Sequence, residues 1–559
     1  MKNMSDYISY ESLDLLEHAI ADDCINEFIN DRSCPSPNEK VNRYMQILSV
    51  AVDLKNQDRP KGMKWRCPTE PDVSVIVKFL ATFHQIIKVP YYDTNNTDEM
   101  ELAMYQDAGE YEGTYTNKKD VFFQVVRRYL PSINKHQFQE ILFGLLNSES
   151  VPVKQLTKLD YLVPVNNGVF DMRSKTLLGY EECQRRGLDY VFVKKIRIDF
   201  GPVANPIIHN PTDGTDWDVE SWMGSLSDDP DTVKLLWQVV ASVVRVYKDY
   251  QKTILFYSES GSNGKGTLCA LLRGLVTDSE SISILEFSDE YALSNIFFVN
   301  AIICDENSVG SFAKASSRFK AAVSGDPFMV NRKYLPPITG CFYGRIIECV
   351  NELPRFADFS DSILRRLLIV NFSKRFEDGE KKRYIKTDYL KRPEVLQYVL
   401  YKVLFLMDDF DEFDVPEASN MLLREVRLYN DNIAAFLDEI LDQLSWDLVP
   451  FGFLHLLYIK WLKLTSPAST PEKKQKFINH IRQLWTANPN PYWEVTGDNP
   501  VKVAHRMDKP EFLISTFGIT EWKRQGYTGN DLGTLCTPNV DAQQVFRGII
   551  RKEGGINHV

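Results

Sequence analysis

The sequence has few of the features that mark secreted, zinc-stabilised or membrane-spanning proteins. Its nine cysteines contain no C-x-x-C pair, and its eight histidines show neither H-E-x-x-H nor H-x-x-x-H spacing. An odd number of widely spaced cysteines argues against a disulfide framework and against a zinc finger. No apolar run approaches the roughly 18–20 residues that span a bilayer, since the longest, near Val399–Met407, is interrupted by Lys402. The first ten residues lack the apolar core of a signal peptide, so we expect a cytoplasmic protein without a membrane partner.

The composition is typical of a globular protein with more than one domain. The chain has 559 residues, of which 44% are hydrophobic, 25% charged and 12% aromatic. At roughly 100–200 residues per domain, this length predicts about three to five domains. The charged and aromatic content is typical of folded chains and not of disordered ones.

Charge is distributed unevenly along the chain. The formal net charge is −11, but residues 450–559 carry 14 Lys and Arg against 9 Asp and Glu, a net of +5. Residues 1–150 carry 16 against 23, a net of −7. A basic C-terminal segment on an acidic protein is typical of local contact with nucleic acid, although a solvated basic face produces the same pattern.

The hydrophobic pattern divides the chain into a helical region and an α/β region. In residues 1–150 apolar residues recur at helical spacing, which predicts a helical interaction or oligomerisation module. From Val151 the pattern changes, and Asn166-Asn167-Gly168 joins two short apolar runs as a hairpin. Residues 251–375 then alternate strands with helices, which predicts a parallel sheet covered on both faces. We therefore predict a multidomain α/β protein.

A glycine-rich loop follows the predicted strand Thr253–Tyr257 and precedes a predicted helix. Glycines let backbone N–H groups turn towards an anion, and the helix N-terminus attracts its charge. The loop departs from G-x-x-x-x-G-K-[ST], because Glu259 replaces the first Gly and Gly266 stands where a magnesium-binding Ser or Thr belongs. Thr267, one residue later, is an alternative source of the magnesium-binding hydroxyl. A glycine-rich turn that binds no ligand is the alternative to a nucleotide site. The predicted nucleotide-binding residues are Glu259, Ser260, Gly261, Ser262, Asn263, Gly264, Lys265, Gly266 and Thr267.

A second chemical element lies forty residues beyond Lys265. The predicted strand Val299–Cys304 ends in Asp305 and Glu306. In P-loop ATPases the first acid of such a pair holds Mg²⁺, usually through water, and the second polarises the attacking water. Acids at strand ends are common, but the two motifs together predict an ATPase with ATP and Mg²⁺ as cofactors. The predicted metal-binding residues are Thr267 and Asp305.

Two further positions distinguish a helicase from a generic ATPase. The predicted strand Arg345–Val350 delivers Asn351, and an amide at a strand tip between two phosphate-binding strands can orient the attacking water. Arg365 and Arg366 precede the predicted strand Leu367–Phe372. We expect Arg366 to face outward, where it could reach the γ-phosphate of a neighbouring subunit as an arginine finger. A surface arginine pair is the alternative.

In this order the motifs resemble those of superfamily-3 helicases, which are AAA+ hexamers of viruses, phages and plasmids. The resemblance is strongest to the phage, plasmid and poxvirus primase-helicase branch, and within it to replication initiator helicases of staphylococcal pathogenicity islands. It covers roughly residues 151–444. The five ordered motifs are the loop with Asn263 before Gly-Lys, Asp305-Glu306, Lys320…Gly325-Asp326…Arg332-Lys333, Asn351…Pro354 and Arg365-Arg366.

The resemblance implies a homohexameric, ATP-dependent DNA helicase that initiates replication of a phage-like mobile element in the cytoplasm of a bacterial cell. It implies that Lys320 acts near the γ-phosphate. It places Arg332, Lys333 and Tyr334 on a hairpin that grips single-stranded DNA in the central pore, where a cation beside an aromatic ring suits contact with backbone and bases. Translocation in the 3′→5′ direction is also implied.

The basic C-terminal segment predicts contact with duplex DNA. In the predicted helix Pro471–Trp485, Phe477 and Ile481 share one face and Lys476 lies opposite. This pattern would suit the recognition helix of a winged-helix fold that binds double-stranded origin DNA. A basic packing domain is the alternative. The candidate contacts are Lys473, Lys474, Lys476 and Arg482.

We predict five segments along the chain. Three other functions are alternatives to a helicase. The alternatives are a non-catalytic, ATP-gated origin-binding scaffold with a degenerate P-loop, a primase-helicase fusion, and an AAA+ motor that acts on protein. The first 150 residues are too short for a fused primase, so we expect a separate primase and host replication proteins as partners. The segments are a helical N-terminal domain (1–150), a lead-in module (151–250), the AAA+ ATPase core (251–375), a helical lid or linker (376–449) and a winged-helix-like domain (450–559).

Overall fold

The computed structural model places the chain in two compact units. The first comprises Met1–Glu352 and Arg365–Ser419, and the second comprises Leu353–Leu364 and Asn420–Val559. This division is coarser than the five predicted segments, which stay a prediction. The structure describes residues 4–31, 33, 35–96, 99–276, 278–305, 312–313, 317–333, 335–356, 361–377 and 380–552.

The first 150 residues combine α-helices with a small antiparallel sheet. The run Ile86–Pro90 is buried along its whole length and rich in branched apolar residues, which favour a strand, so the predicted helical region also contains strands. It pairs with Met100–Tyr105 in the register Ile86↔Met104. The elements are α1 (Leu13–Ile29), α2 (Pro37–Gln57), α3 (Val73–Phe83), β1 (Ile86–Pro90), β2 (Met100–Tyr105), β3 (Tyr115–Thr116), α4 (Lys119–Tyr129) and α5 (Lys135–Asn147).

The predicted hairpin at Asn166-Asn167-Gly168 is confirmed. Val165 pairs with Gly168, whose φ is +154°. A Cβ at this position would lie 2.4 Å from the carbonyl oxygen of Leu178, so the turn requires glycine. The elements of this region are β4 (Leu162–Val165), β5 (Gly168–Asp171), β6 (Thr176–Leu178), α6 (Tyr180–Arg185), β7 (Ile208–His209), β8 (Asp216–Trp217), α7 (Val219–Gly224) and α8 (Pro230–Val244).

The next region contains the strands and helices of the predicted ATPase core, followed by the first two helices of the predicted lid or linker. An antiparallel hairpin of Phe328–Arg332 and Leu335–Gly340, the one that the resemblance implied, is present within it. The predicted helix Pro393–Met407 is α-helical only to Tyr401 and continues as a π-helical turn over Lys402–Leu406. The elements are β9 (Thr253–Tyr257), α9 (Lys265–Val276), β10 (Ser279–Glu280), β11 (Ala301–Cys304), β12 (Phe312–Ala313), α10 (Ser317–Ser324), β13 (Phe328–Arg332), β14 (Leu335–Gly340), β15 (Arg345–Val350), β16 (Arg355–Phe356), α11 (Asp361–Leu364), β17 (Leu367–Asn371), α12 (Arg383–Thr387) and α13 (Pro393–Tyr401).

A five-stranded parallel sheet forms the centre of the first unit, as the alternation of strands and helices predicted. Its strand order is β10–β11–β15–β9–β17, and each neighbouring pair is parallel. Strands β9, β11 and β15 are buried at every residue, because helices cover a parallel sheet on both faces. The largest hydrophobic core joins residues of α8, α9 and α13 to this sheet.

The second unit is a cluster of helices with a small antiparallel sheet. Its core contains three packed aromatic rings. The ring centroid of Tyr458 lies 5.5 Å from that of Phe436 and 4.9 Å from that of Phe477. The winged-helix assignment stays a prediction. The remaining elements are α14 (Glu417–Asn430), α15 (Asn432–Ile440), β18 (Leu448–Pro450), α16 (Phe451–Thr465), α17 (Lys474–Ala487), β19 (Trp493–Val495), β20 (Val501–Lys502), α18 (Leu513–Thr516), α19 (Leu532–Leu535), β21 (Val545–Phe546) and β22 (Gly548–Arg551), with the sheet order β18–β22–β19.

Two expectations from composition can be compared with the described residues. The eight cysteines that the structure describes are all free thiols, which agrees with the absence of a disulfide framework. Within the same residues, no helix combines the length and the hydropathy needed to cross a bilayer.

Candidate nucleotide-binding site

The loop that joins β9 to α9 is closely packed and partly left-handed. Ser262 and Gly264 have positive φ values of 64° and 90°. Asn263 is 3% exposed, and its Nδ2 donates a hydrogen bond to the carbonyl oxygen of Ser260. The amide of Leu268 donates to the carbonyl oxygen of Gly264, so the helix begins directly after the loop. The predicted loop residues therefore lie at a helix N-terminus, where unpaired backbone N–H groups attract anions.

The two departures from the P-loop pattern have different surroundings. Glu259 is exposed, and one of its carboxylate oxygens accepts a 3.3 Å hydrogen bond from the hydroxyl of Tyr257. Gly266 lies in the first turn of α9, and a Cβ at Gly266 would lie 3.5 Å from Nζ of Lys386. An ammonium group therefore lies beside the turn where a phosphate would bind. Thr267 is half-buried in the same turn.

Lys265 is buried and hydrogen-bonded at the edge of the sheet. The side chain is 7% exposed, and burial lowers the pKa of its ammonium group. Nζ donates to Oδ1 of Asn351 at 2.8 Å, to the carbonyl oxygen of Val350 at 3.0 Å and to that of Ser258 at 3.4 Å. All three acceptors lie where β9 and β15 end. The structure therefore brings together the lysine and the amide that the sequence assigned to a phosphate site.

Asp305 follows β11 at the same edge of the sheet. Its Oδ2 accepts a 2.8 Å hydrogen bond from Nη1 of Arg273, and Nη2 of Arg273 donates to the carbonyl oxygen of Ile303 at 2.7 Å. Its Oδ1 is buried and has no hydrogen-bond partner among the described residues. A buried carboxylate oxygen without a partner carries a desolvation cost, so Oδ1 fits a ligand of Mg²⁺ or of its water. Glu306, the predicted water-polarising group, lies outside the described residues.

The strand order places Asn351 between the loop and Asp305. Strand β15 lies between β9, which leads into the loop, and β11, which leads to Asp305. Because the carboxyl ends of parallel strands meet at one edge of a sheet, the loop, Asn351 and Asp305 lie side by side there. This is the edge at which open α/β sheets bind their ligands.

The arginine pair differs from the prediction. Arg366 is 9% exposed, and its guanidinium donates from Nη2 to Oγ of Ser324 at 2.7 Å and from Nε to the same atom at 3.1 Å. The expectation that Arg366 faces outward is therefore wrong, because α10 covers it. Arg365 is the exposed member of the pair. Lys320 is half-buried on α10, and its action near a γ-phosphate stays a prediction.

The hairpin of β13 and β14 carries the cations predicted to bind single-stranded DNA. Arg332 is mostly buried, because Nη1 forms an ion pair with Glu101 and Nε donates to the carbonyl oxygen of Pro336 at 3.1 Å. The guanidinium of Arg332 is therefore held by contacts within the first unit, and its charge is mostly shielded from solvent. Lys333 is exposed at the turn. Tyr334 lies outside the described residues.

A cavity of about 850 Å³ opens beside the loop. Its volume lies within the range of small-molecule sites, and its lining combines aromatic with basic side chains. This cavity could not be predicted from local sequence patterns, because Trp217 lies 48 residues before Lys265 and Lys386 lies 121 residues after it. The residues that line the cavity include Trp217, Trp222, Ser262, Gly264, Thr267, Phe376 and Lys386.

The predicted DNA-reading helix corresponds to α17. Phe477, Ile481 and Leu484 are buried, as the apolar spacing predicted. On the opposite side Lys476 is exposed and pairs with Glu472 at 3.6 Å, which is a weak surface contact. The other candidate contacts are exposed or half-buried and comprise Lys473, Lys474 and Arg482.

Two family models match parts of the chain. Residues 256–366 match a family of unknown function, DUF5906, and this segment includes Lys265, Asp305 and Asn351. Residues 428–509 match the family described as Poxvirus D5 protein-like. The second match supports a relationship to the primase-helicase branch that the motif order resembles. Neither match extends to the staphylococcal island initiators.

Solved structures of the C-terminal region of NrS-1 are similar to this chain at low identity. One apo structure has 14% identity and a TM-score of 0.44, over 78% of this chain and 97% of that chain. Two A-form apo structures have 13% and 14% identity and TM-scores of 0.42 and 0.38. The first of these two covers 78% of this chain and 98% of its own chain, and the second covers 66% of this chain and 80% of its own chain. A likeness this distant carries no functional conclusion. The comparison with curated proteins found no significant match.

Proposed function

We propose that this protein is an ATP-dependent DNA helicase that initiates replication of a phage-like mobile element. The observation that carries the proposal is the meeting of Lys265, Asn351 and Asp305 at one edge of a parallel sheet. Lys265 follows a glycine-containing loop, and the other two end adjacent strands. P-loop nucleotide hydrolases use a lysine, a strand-end acid and a polar group that orients water in these roles.

The residues of the loop would hold ATP by its phosphates. Loop residues from Glu259 to Thr267 would surround the phosphates with N–H groups, and Lys265 would exchange its bonds to Asn351 and two carbonyl oxygens for phosphate oxygens. Asp305, through its unpartnered Oδ1, and Thr267 would hold Mg²⁺, which neutralises phosphate charge. Asn351 would then be released to orient water. Glu306 keeps its proposed role as the group that polarises this water.

The cavity beside the loop would accept the nucleoside. Trp217, Trp222 and Phe376 supply flat apolar surfaces for a base, and Ser262, Gly264 and Thr267 connect the cavity directly to the loop. The ammonium of Lys386, close to the first turn of α9, would add positive charge near the phosphates. This assignment explains why aromatic residues far from the P-loop in sequence belong to the same site.

A homohexamer would complete each site with groups from a neighbouring subunit. Exposed Arg365, and not the buried Arg366, suits the position of an arginine finger, because a group that acts on the next subunit must be accessible. Lys320 on α10 would lie near the same phosphate. Lys333, together with Tyr334, would contact single-stranded DNA in the pore.

The second unit would bind double-stranded origin DNA. Its support is the net charge of +5 over residues 450–559 and the exposed lysines at the start of α17. Phosphate contacts from Lys473, Lys474, Lys476 and Arg482 would give affinity and position. A winged-helix fold, a separate primase and host replication proteins complete this proposal.

An ATP-gated scaffold without turnover is the second candidate function. The observation that favours it is the altered loop, with Glu259 and Gly266 at positions where the P-loop pattern has Gly and Ser or Thr. Such a protein would use ATP for assembly at an origin only. Its site would bind nucleotide as proposed, so hydrolysis and unwinding, and not nucleotide affinity, separate the two candidates.

Strand displacement tests the helicase proposal. Duplexes with a 3′ or a 5′ single-stranded tail would be incubated with the full chain and ATP. We expect displacement from the 3′-tailed substrate, its loss in Lys265→Ala, and its retention in Lys234→Ala, which removes an exposed lysine of α8. Origin binding that depends on ATP, without displacement of either substrate, would replace the helicase by the scaffold.

A further inference from the structure

Two cysteines and one carboxylate meet beneath the proposed phosphate site. The Sγ atoms of Cys269 and Cys349 are 3.5 Å apart. These two Sγ atoms and a carboxylate oxygen of Asp305 all lie within 4.8 Å of one another. Both thiols are buried, at 0% and 5% exposure, whereas the side chain of Asp305 is 32% exposed. The two sulfur atoms are therefore enclosed by protein, and the exposed part of the cluster belongs to the side chain of Asp305.

The regular elements explain why these groups converge. Cys269 follows Lys265 by four residues on α9, which is about one helical turn, so both side chains lie on one face. Cys349 lies near the end of β15, two residues before Asn351, which directly follows the strand. The thiols thus form a second layer directly below the contact between Lys265 and Asn351.

The separation of the thiols matches a bridging metal ion better than a disulfide. Two thiolates that bind Zn²⁺ at about 2.3 Å with tetrahedral angles lie roughly 3.8 Å apart. The observed 3.5 Å needs an adjustment of a few tenths of an ångström. A disulfide needs an S–S distance of about 2.05 Å and would require a helix and a central strand to approach each other.

The charges around the cluster also suit a divalent cation. Two thiolates and one carboxylate with one divalent cation leave a single negative charge. The guanidinium of Arg273, which donates to Oδ2 of Asp305 at 2.8 Å, neutralises it without occupying Oδ1.

We propose that Cys269, Cys349 and Asp305 form a binding site for one thiophilic divalent cation of the Zn²⁺ class, with water as the remaining ligand. Three protein ligands and an open position are sufficient for zinc. The cation would bind the Asp305 carboxylate that we assign to Mg²⁺, so it would inhibit nucleotide turnover. The site itself does not depend on the proposed function; only the inhibition rests on it.

Metal binding tests the site without reference to activity. The full chain, kept reduced with a phosphine, would be titrated with Co²⁺ and, separately, dialysed against Zn²⁺. We expect one ion per chain and the visible absorption of tetrahedral Co²⁺ with thiolate ligands. Both should disappear in Cys349→Ser and persist in Cys536→Ser, a buried cysteine of the second unit. An unchanged stoichiometry in Cys349→Ser, or no thiolate-to-Co²⁺ absorption in the unsubstituted chain, would overturn the proposal.

A second variant and a turnover assay separate the possible failures. If Cys349→Ser does not fold, Cys269→Ser and Asp305→Asn provide the same comparison, and the spectrum of the unsubstituted chain remains decisive. Stoichiometric Zn²⁺ should reduce ATP turnover at least tenfold in the unsubstituted chain and less than twofold in Cys349→Ser. Metal binding without any ATP turnover would support the metal site and contradict the proposed ATPase activity. Turnover that bound Zn²⁺ does not change would contradict the proposed inhibition.

Discussion

The ammonium of Lys265 donates a 2.8 Å hydrogen bond to Oδ1 of Asn351, which joins helix α9 to the central strand β15. The two residues are 86 positions apart in the sequence. A phosphate that binds Lys265 must replace this bond, so phosphate binding and the position of Asn351 are coupled through one hydrogen bond. This coupling gives different expectations for the two residues.

Substitution of Asn351 should separate nucleotide binding from hydrolysis. In Asn351→Ala, Lys265 keeps its backbone acceptors and its charge, so we expect ATP affinity within about threefold of the unsubstituted chain. Loss of a group that orients water should lower turnover by about 10²-fold or more. Fluorescent-nucleotide titration and steady-state hydrolysis measure the two effects. Asn295→Ala, at an exposed position, is the control, and turnover unchanged in Asn351→Ala would contradict the assigned role.

Gly264 should tolerate no side chain. Its φ is +90°, and an added Cβ would lie 2.6 Å from Cδ2 of Leu226. The left-handed backbone alone costs an L-residue about 1–2 kcal/mol, so Gly264→Ala should distort the loop and weaken ATP binding at least tenfold. Gly261→Ala in the same loop is the matched control, because no atom lies within 4 Å of its added Cβ and its φ is not positive. Equal affinities in the two variants, measured by titration, would refute the packing argument.

Much of the five-stranded parallel sheet could be predicted because its signals are local. Strand Thr253–Tyr257 is almost wholly apolar, and strand Arg345–Val350 is mainly apolar although it contains Arg345 and Glu348. The structure gives both strands the predicted bounds. The place of Asn351 between two strands followed from the order of the motifs. The place of Asp305 at the same edge could be predicted because an acidic residue directly follows a buried apolar strand.

The parts that could not be predicted depend on contacts between distant residues. Arg332 pairs with Glu101, which is 231 positions away, so nothing near Arg332 in the sequence shows that its charge is already compensated. Arg366 is covered by α10 through Ser324, and sequence spacing does not reveal which of two adjacent arginines a helix will cover. The strand Ile86–Pro90 was missed because its apolar run is also compatible with a buried helix.

Arg365 should act between subunits. We expect Arg365→Ala to bind ATP normally and to lower turnover of the assembled protein by about 10³-fold, the usual effect of removing an arginine finger. Mixing Arg365→Ala with Lys265→Ala subunits should restore activity, because some interfaces then combine an intact loop with an intact arginine. Arg366→Ala should instead lower the thermal midpoint, since it removes a buried, hydrogen-bonded cation. Full turnover by Arg365→Ala alone would exclude it as the finger.

Glu348 should make the first unit less stable as pH rises. Burial raises the pKa of this carboxyl, which is 1% exposed, to about 7. A raised folded-state pKa means that its stability contribution is complete below the unfolded value of 4.5 and is lost as pH rises to about 7. The loss amounts to about 3 kcal/mol at 1.36 kcal/mol per pH unit. Thermal midpoints at pH 5 and pH 8 should differ less in Glu348→Gln than in the exposed control Glu290→Gln, and parallel shifts would contradict the assignment.

The lysines at the start of α17 should carry the salt dependence of duplex binding. Each phosphate contact contributes about 0.9 to the slope of log K against log salt concentration. Replacing Lys473, Lys474 and Lys476 by Ala should therefore reduce the slope by up to about 3. Lys460→Ala with Lys463→Ala, exposed on α16, should leave the slope unchanged. Anisotropy titrations with duplex DNA at several salt concentrations measure it, and an equal slope in both variants would remove α17 from the DNA interface.

Steady-state ATP hydrolysis with and without single-stranded DNA is the most direct test of a DNA-driven ATPase at Lys265. We expect turnover that DNA stimulates several-fold in the unsubstituted chain, that Lys265→Ala abolishes, and that Lys234→Ala retains. Turnover no higher than that of Lys265→Ala, with DNA present and ATP bound, would contradict a DNA-driven ATPase at this site.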